Sequence, residues 1–188
     1  MFTELSRIFA APARIKLLKS FLLYPESRKT AAEAAAAIGL SKNVAERDAR
    51  ALAQIGILTL RGSKKKKLYS ANQGHEFYEP LRSLLNTTLP DDRALLSVFR
   101  GVSGVALIVA TGVLALEERS AIDLLIVAKR SQNPRLGKAV MKLERITALP
   151  LRYVILEPQI FSERVEAHDR LLRDVFEFKN RVILGKAP

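Results

Sequence analysis

Thr30-Ala31-Ala32-Glu33-Ala34-Ala35-Ala36-Ala37-Ile38-Gly39-Leu40-Ser41-Lys42-Asn43-Val44 is the stretch whose reading decides the fold. Thr30 and Glu33 have the spacing of a capping box, in which the hydroxyl accepts from the third amide while the carboxylate reaches back, so a helix is predicted over 31–38. Gly39 stops that helix by permitting a left-handed backbone. Ser41 is placed to cap the next helix, running from Lys42 to about Ile55 with Ala45, Ala49, Leu52 and Ile55 as its apolar stripe, and Gly56 closes it. Beyond Gly56 the period changes. Ile57–Leu60 and Lys67–Ser70 read as short strands around Arg61-Gly62-Ser63-Lys64-Lys65-Lys66, which has the Gly-Ser chemistry of a hairpin turn. Upstream, Leu5, Ile8, Phe9, Ile15, Leu18, Phe21 and Leu22 recur at helical spacing, with Pro12 dividing a short lead-in from a helix of about three turns. Downstream, an amphipathic helix from about His75 to Leu85 gathers Phe77, Tyr78, Leu81, Leu84 and Leu85.

The whole chain has 188 residues, with 31 Lys+Arg against 19 Asp+Glu, a formal net charge of +12, and 48% hydrophobic residues. This apolar content excludes a disordered basic tail, and the length excludes a mini-protein. There is no Cys and there are only two His, His75 and His168, far apart. Disulfide scaffolds, thiolate metal sites and cysteine nucleophiles are therefore excluded. The start of the chain, with Glu4 and no compact apolar run, does not read as a signal peptide. The longest apolar stretch, Val102–Leu116, falls short of the roughly 20 residues that span a bilayer and is read as buried strand. A cytoplasmic protein without membrane contact is expected.

The polar, Pro-containing segment Asn86–Asp92 reads as a linker, so two domains are expected, 1–90 and 91–188. Residues 1–90 hold 15 Lys/Arg and 7 Asp/Glu, whereas 91–188 hold 16 and 12. The basic excess is concentrated in the first half. In the second half Val105–Ala110, Ala121–Val127 and Leu151–Leu156 read as strands, Leu136–Ile146 as a helix and Phe161–Asn180 as one long helix, an α/β arrangement.

A second helix held across a first by a glycine turn presents its N-terminal face to a major groove. On that face lie Ser41, Lys42, Asn43, Glu46, Arg47 and Arg50. Arg47 and Arg50 are neighbours on the helix surface, able to contact phosphates or guanine edges, and Ser41 with the free amides beside it suits a backbone phosphate. Lys64, Lys65, Lys66 and Lys67 at the hairpin tip would grip phosphates beside the groove, each neutralised phosphate adding nearly one unit to the salt slope. Glu46 and Asp48 run against this pattern; Asp48 can turn inward or pair with a neighbouring Arg, and Glu46 can accept from cytosine.

Ile8-Phe9-Ala10-Ala11-Pro12-Ala13-Arg14-Ile15-Lys16-Leu17-Leu18, Gly39-Leu40-Ser41-Lys42-Asn43-Val44, Gly56-Ile57-Leu58-Thr59-Leu60 and Leu68-Tyr69-Ser70-Ala71-Asn72 together resemble the ArsR-type winged helix-turn-helix transcriptional regulators. More narrowly, the chain resembles prokaryotic regulators that fuse such a domain to a nucleotidyltransferase-like one. The resemblance implies an α+β protein, an N-terminal winged helix-turn-helix followed by a C-terminal nucleotidyltransferase-like α/β domain. It also implies double-stranded DNA as partner and a homodimer formed through the segments around Ile8–Phe21 and Phe77–Leu85.

The second half resembles the minimal nucleotidyltransferase fold, whose members have a Gly-Ser turn followed by a strand bearing two metal-holding carboxylates one residue apart. Here the turn reads Gly112-Val113, only Asp123 remains of the pair, and the third acidic position falls around Leu151-Arg152-Tyr153, where a cation stands. A lone Asp123 cannot organise two magnesium ions, so no catalytic residue, no metal ligand and no cofactor is expected. Glu117 and Glu118 are read as solvated turn residues, and His168 as part of a polar helical stretch with Arg164 and Arg170. The expectation is a DNA-binding regulator, not an enzyme, whose second domain stabilises the dimer, recruits a protein partner or senses an effector. The alternative is a nucleotidyltransferase, or a nucleotide-binding pseudoenzyme, targeted by the first domain.

Overall fold

The structure, a computed structural model, describes residues 12–63, 66–131 and 133–188. Lys64 and Lys65, and the lead-in with Leu5, Ile8 and Phe9, lie outside the described residues. The chain is mixed α and β and divides into two compact units: one runs to Thr88 and takes in Ala148–Pro150, the other comprises Leu89–Thr147 and Leu151–Pro188.

In the first unit, α1 (Pro12–Leu22), α2 (Ala31–Ile38) and α3 (Lys42–Ile55) precede the strands β1 (Leu58–Gly62) and β2 (Lys67–Ala71), and α4 (Tyr78–Asn86) follows. Pro12 opens α1, where its missing N–H costs nothing. The boundaries of α2 have local causes. Thr30 Oγ1 accepts from the Glu33 amide at 3.1 Å, Glu33 Oε2 accepts from the Thr30 amide at 2.7 Å, and Gly39 ends the helix at φ +67°. Ser41 caps α3 by accepting from the Val44 amide, and Gly56 ends it at φ +90°. β1 and β2 pair antiparallel, Leu58 opposite Ala71 and Gly62 opposite Lys67, and Lys29 adds a bridge on the free edge of β2 through its two backbone bonds with Tyr69. Leu17, Leu18, Phe21, Leu22, Ala34, Ala49, Leu52 and Leu85 form the core. Leu17, Leu18 and Phe21, the apolar residues of α1, are all at 0% exposure.

The second unit is built on a four-stranded sheet in the order β5-β4-β3-β6, from β3 (Val105–Ala110), β4 (Leu124–Ala128), β5 (Tyr153–Leu156) and β6 (Arg181–Leu184). β3 is antiparallel to β4 and β6, and β4 is parallel to β5. Helices α5 (Asp92–Val98), α6 (Gly112–Ala115), α7 (Pro134–Thr147), α8 (Pro158–Glu166) and α9 (Arg170–Glu177) complete it. Every residue of β4 is buried, as expected of a central strand covered on both faces. Leu125 and Val127 join Leu107, Val109, Leu156, Leu172 and Val175 in one apolar cluster against which Phe161, Val165 and Phe176 of α8 and α9 pack.

The expected single helix over Phe161–Asn180 is two. The chain breaks at His168, which takes a left-handed φ of +51°, and Asp169 caps α9 by accepting from the Leu172 amide. His168 is therefore a hinge residue rather than a helical one. The last three residues of the expected helix, Phe178–Asn180, instead lead into β6, which holds the free edge of β3.

Candidate nucleic-acid interface

Fourteen residues give α3 a length of about 21 Å, enough to cross a major groove about 12 Å wide. Its apolar side, with Ala45, Ala49 and Leu52 at 0% exposure, is fixed against the core, which determines what faces out. Ser41, Lys42, Asn43, Glu46, Arg47 and Arg50 are all exposed. Asn43, Glu46, Arg47 and Arg50 line one side of a groove of about 400 Å³ with Ala51 and Gln54. On the other side of Glu46 and Arg50 a second groove, of about 360 Å³, is bounded by Lys42, by Thr30–Ala32 at the start of α2 and by Lys66, Lys67 and Tyr69 of the hairpin. The helix face and the hairpin cations thus share one surface.

The two helix starts differ electrostatically. α2 carries Glu33 in its first turn, and that carboxyl is held below its ordinary value first by the Thr30 amide it accepts from. α3 has no acid in its first turn. The first amides and the positive dipole end of such a helix suit an external anion, and Ser41, accepting from Val44, keeps its hydroxyl proton to donate.

The two carboxylates that run against the pattern are both accounted for. Asp48 is fully buried and turned inward, where its Oδ1 accepts from Arg14 Nη2 of α1 at 3.1 Å and from Arg47 Nε at 3.2 Å. Arg47 is thereby anchored at Nε while its side chain remains 68% exposed, leaving the terminal nitrogens for an end-on bidentate contact. Glu46 pairs across one turn with Lys42 at 3.8 Å, an exposed and weak ion pair.

Lys29 lies behind this surface. Its Nζ donates to the Ser20 carbonyl at 2.8 Å and sits 5.1 Å from the Phe21 ring centre, and burial pushes its pKa down to about 8. No local pattern foretells this, because Lys29 sits in a run of polar residues and is drawn inward by the backbone bridge to Tyr69.

In the second unit Asp123 is fully buried and held from all sides. Oδ1 accepts from the Val113 amide at 2.9 Å and Arg152 Nη2 at 2.7 Å; Oδ2 accepts from the Arg152 amide at 2.9 Å and Arg152 Nε at 3.0 Å. A guanidinium side chain stands bidentate on the carboxylate. Gly112, at φ +52°, is required beside it, since a Cβ there would collide with Asp123 Oδ1 and the Ile122 carbonyl. Among the described residues no three of His, Asp or Glu come together in a metal-holding group.

Glu117 corrects its expected solvation. It is only 9% exposed and accepts from Arg119 Nε and Nη2, each at 2.9 Å, from the Arg119 amide at 3.0 Å and from the Lys179 amide at 3.3 Å. The Arg119 side-chain bonds, then the backbone bonds, lower its pKa to about 2. Arg119 in turn lies 4.3 Å from the Phe178 ring centre, so Glu117 fastens the turn after α6 to the chain entering β6. Glu118 lies on the surface. No helix among the described residues is long and apolar enough to cross a membrane. No protein family, curated protein or solved structure matches the chain.

Proposed function

We propose that the protein is a DNA-binding transcriptional regulator whose first unit is a winged helix-turn-helix and whose second unit is a nucleotidyltransferase-like scaffold without metal-dependent catalysis. The observation that carries the reading is the shared surface on which Lys42, Asn43, Arg47 and Arg50 of α3 face out beside Lys66 and Lys67 of the hairpin. In this reading α3 enters the major groove. Arg47, steadied by Asp48, and Arg50 address guanine edges, and Asn43 addresses adenine. Ser41 and the α3 amides take a phosphate, and the hairpin lysines hold the backbone alongside. Two copies would read two half-sites, as regulators of this architecture do.

The bidentate Arg152 on Asp123 supports a second unit that serves as scaffold, since the cation satisfies the one carboxylate that the resemblance makes a metal ligand. Transfer of labelled nucleotide that is lost on Asp123→Asn would favour an enzyme instead.

Fluorescence anisotropy on selected duplexes tests the proposal. Arg47→Ala with Arg50→Ala should relax base preference, by about 1–3 kcal/mol per lost bidentate contact, while Lys66→Ala with Lys67→Ala should weaken all duplexes alike and flatten the salt dependence. Binding untouched by both pairs overturns it.

A further inference from the structure

We infer that the second unit carries a nucleic-acid backbone surface of its own, running from Lys129 and Arg130 through Arg135 and along α7 to Lys138, Lys142 and Arg145. All six are exposed. None takes part in an ion pair among the described residues. The inference rests on the reading above for the class of partner only.

Spacings of three, four and three residues place Arg135, Lys138, Lys142 and Arg145 on one helix face. The stripe is about 15 Å long, a length of duplex axis that presents about nine phosphate charges. Leu136, Ala139, Val140, Leu143 and Thr147 bury the opposite face, so the helix is held with its cations outward. The single acid of α7, Glu144, is turned out of the stripe and accepts from the Leu151 amide at 3.0 Å. Beyond the start of the helix, Lys129, Arg130 and Arg135 line a cleft of about 860 Å³ at the carboxyl end of β4, the end of a parallel strand pair where α/β sheets take ligands. The one carboxylate in that cleft, Glu157, is engaged by the amide and hydroxyl of Ser131.

Folding does not account for this arrangement. Like charges three and four residues apart repel, and Arg135 and Lys138 lie toward the positive end of the helix dipole, where acids would stabilise; α7 has none in its first turn. A lipid surface fits poorly, because an interfacial helix needs an apolar face and that of α7 is already in the core, leaving only Met141 and Ile146 exposed. An acidic protein surface fits poorly too, since the segment from Lys129 to Arg145 that carries the six cations contributes no aromatic residue to anchor an interface core.

The test is the full chain with Lys138→Ala, Lys142→Ala and Arg145→Ala, titrated against a random-sequence duplex, a single-stranded RNA and vesicles of anionic lipid across salt. The expected result is a slope of log affinity against log salt shallower by about 2–3 on the duplex, with base preference unchanged and a melting temperature no lower than that of the parent. An unchanged slope, while Arg47→Ala with Arg50→Ala still alters binding, overturns this inference and leaves the α3 reading standing. Nucleic-acid binding that depends on α7 and not on α3 supports it and overturns the α3 reading. Binding to vesicles alone, or to none of the three, overturns both.

Discussion

Replacing Arg152 by Met removes the counter-charge of the most deeply buried carboxylate in the second unit while keeping the length of the side chain. Asp123 is 0% exposed and would keep the bonds from the Val113 and Arg152 amides while losing those from the Arg152 guanidinium. Breaking a buried pair from one side costs about 3–5 kcal/mol; the Arg152 side chain is 45% exposed, so water screens part of this and about 2–3 kcal/mol is expected. β4 follows directly on Asp123, so hydrogen exchange of the Leu124–Ala128 amides reads the loss, as an acceleration of about 30- to 150-fold. Asp123→Asn removes the stranded charge, so the double variant should lose no more than Arg152→Met does alone. Losses that simply add in the double variant would refute the pairing as the reason for the cost.

Two titrations and one substitution test other parts of the account. Lys29 has a folded pKa lowered from 10.5 to about 8, so the unfolded chain holds its proton more tightly and stability should rise between about pH 8 and 10.5. Lys29→Met should flatten that rise in urea melts and stabilise the protein at pH 7 by about 1–2 kcal/mol, net of the lost bond to Ser20. For Glu117 the sign is opposite: with a pKa lowered from 4.5 to about 2, its contribution is complete above pH 4.5 and lost as pH falls toward 2. Acid melts of Glu117→Gln should therefore lack part of the parent's slope in that window. Gly112→Ala should destabilise the second unit severely in thermal melts, because the Cβ meets the Asp123 carboxylate and the Ile122 carbonyl at a positive φ.

The parts of the fold that were legible in the sequence are those fixed by local chemistry. The capping box of Thr30 and Glu33, the left-handed glycines at positions 39 and 56 and the Ser41 cap bound two helices whose ends depend on neighbours a few residues away. The outward face of α3 followed from the positions of Ala45, Ala49 and Leu52. What escaped was decided at long range. β6 is a short run, Arg181–Leu184, that becomes a strand only because β3 offers a free edge. The break at His168 lies inside a continuous helical pattern and shows only in Asp169, a cap residue among many acids. Glu117 gave no sign of burial because its partners include the amide of Lys179, 62 positions away. For Asp48 the sequence left two fates open, and the structure realises both, since one carboxylate oxygen serves Arg14 from α1 and Arg47 from its own helix.

Selection of bound duplexes from a random pool by the purified 188-residue chain tests the central claim most directly. The account predicts an enriched guanine-containing sequence, repeated with two-fold symmetry at a separation of one helical turn or a multiple of it, and its disappearance when Arg47 and Arg50 are both replaced by Ala. A pool that stays random with the parent protein, or the same enriched sequence from the Arg47→Ala, Arg50→Ala variant, would contradict it.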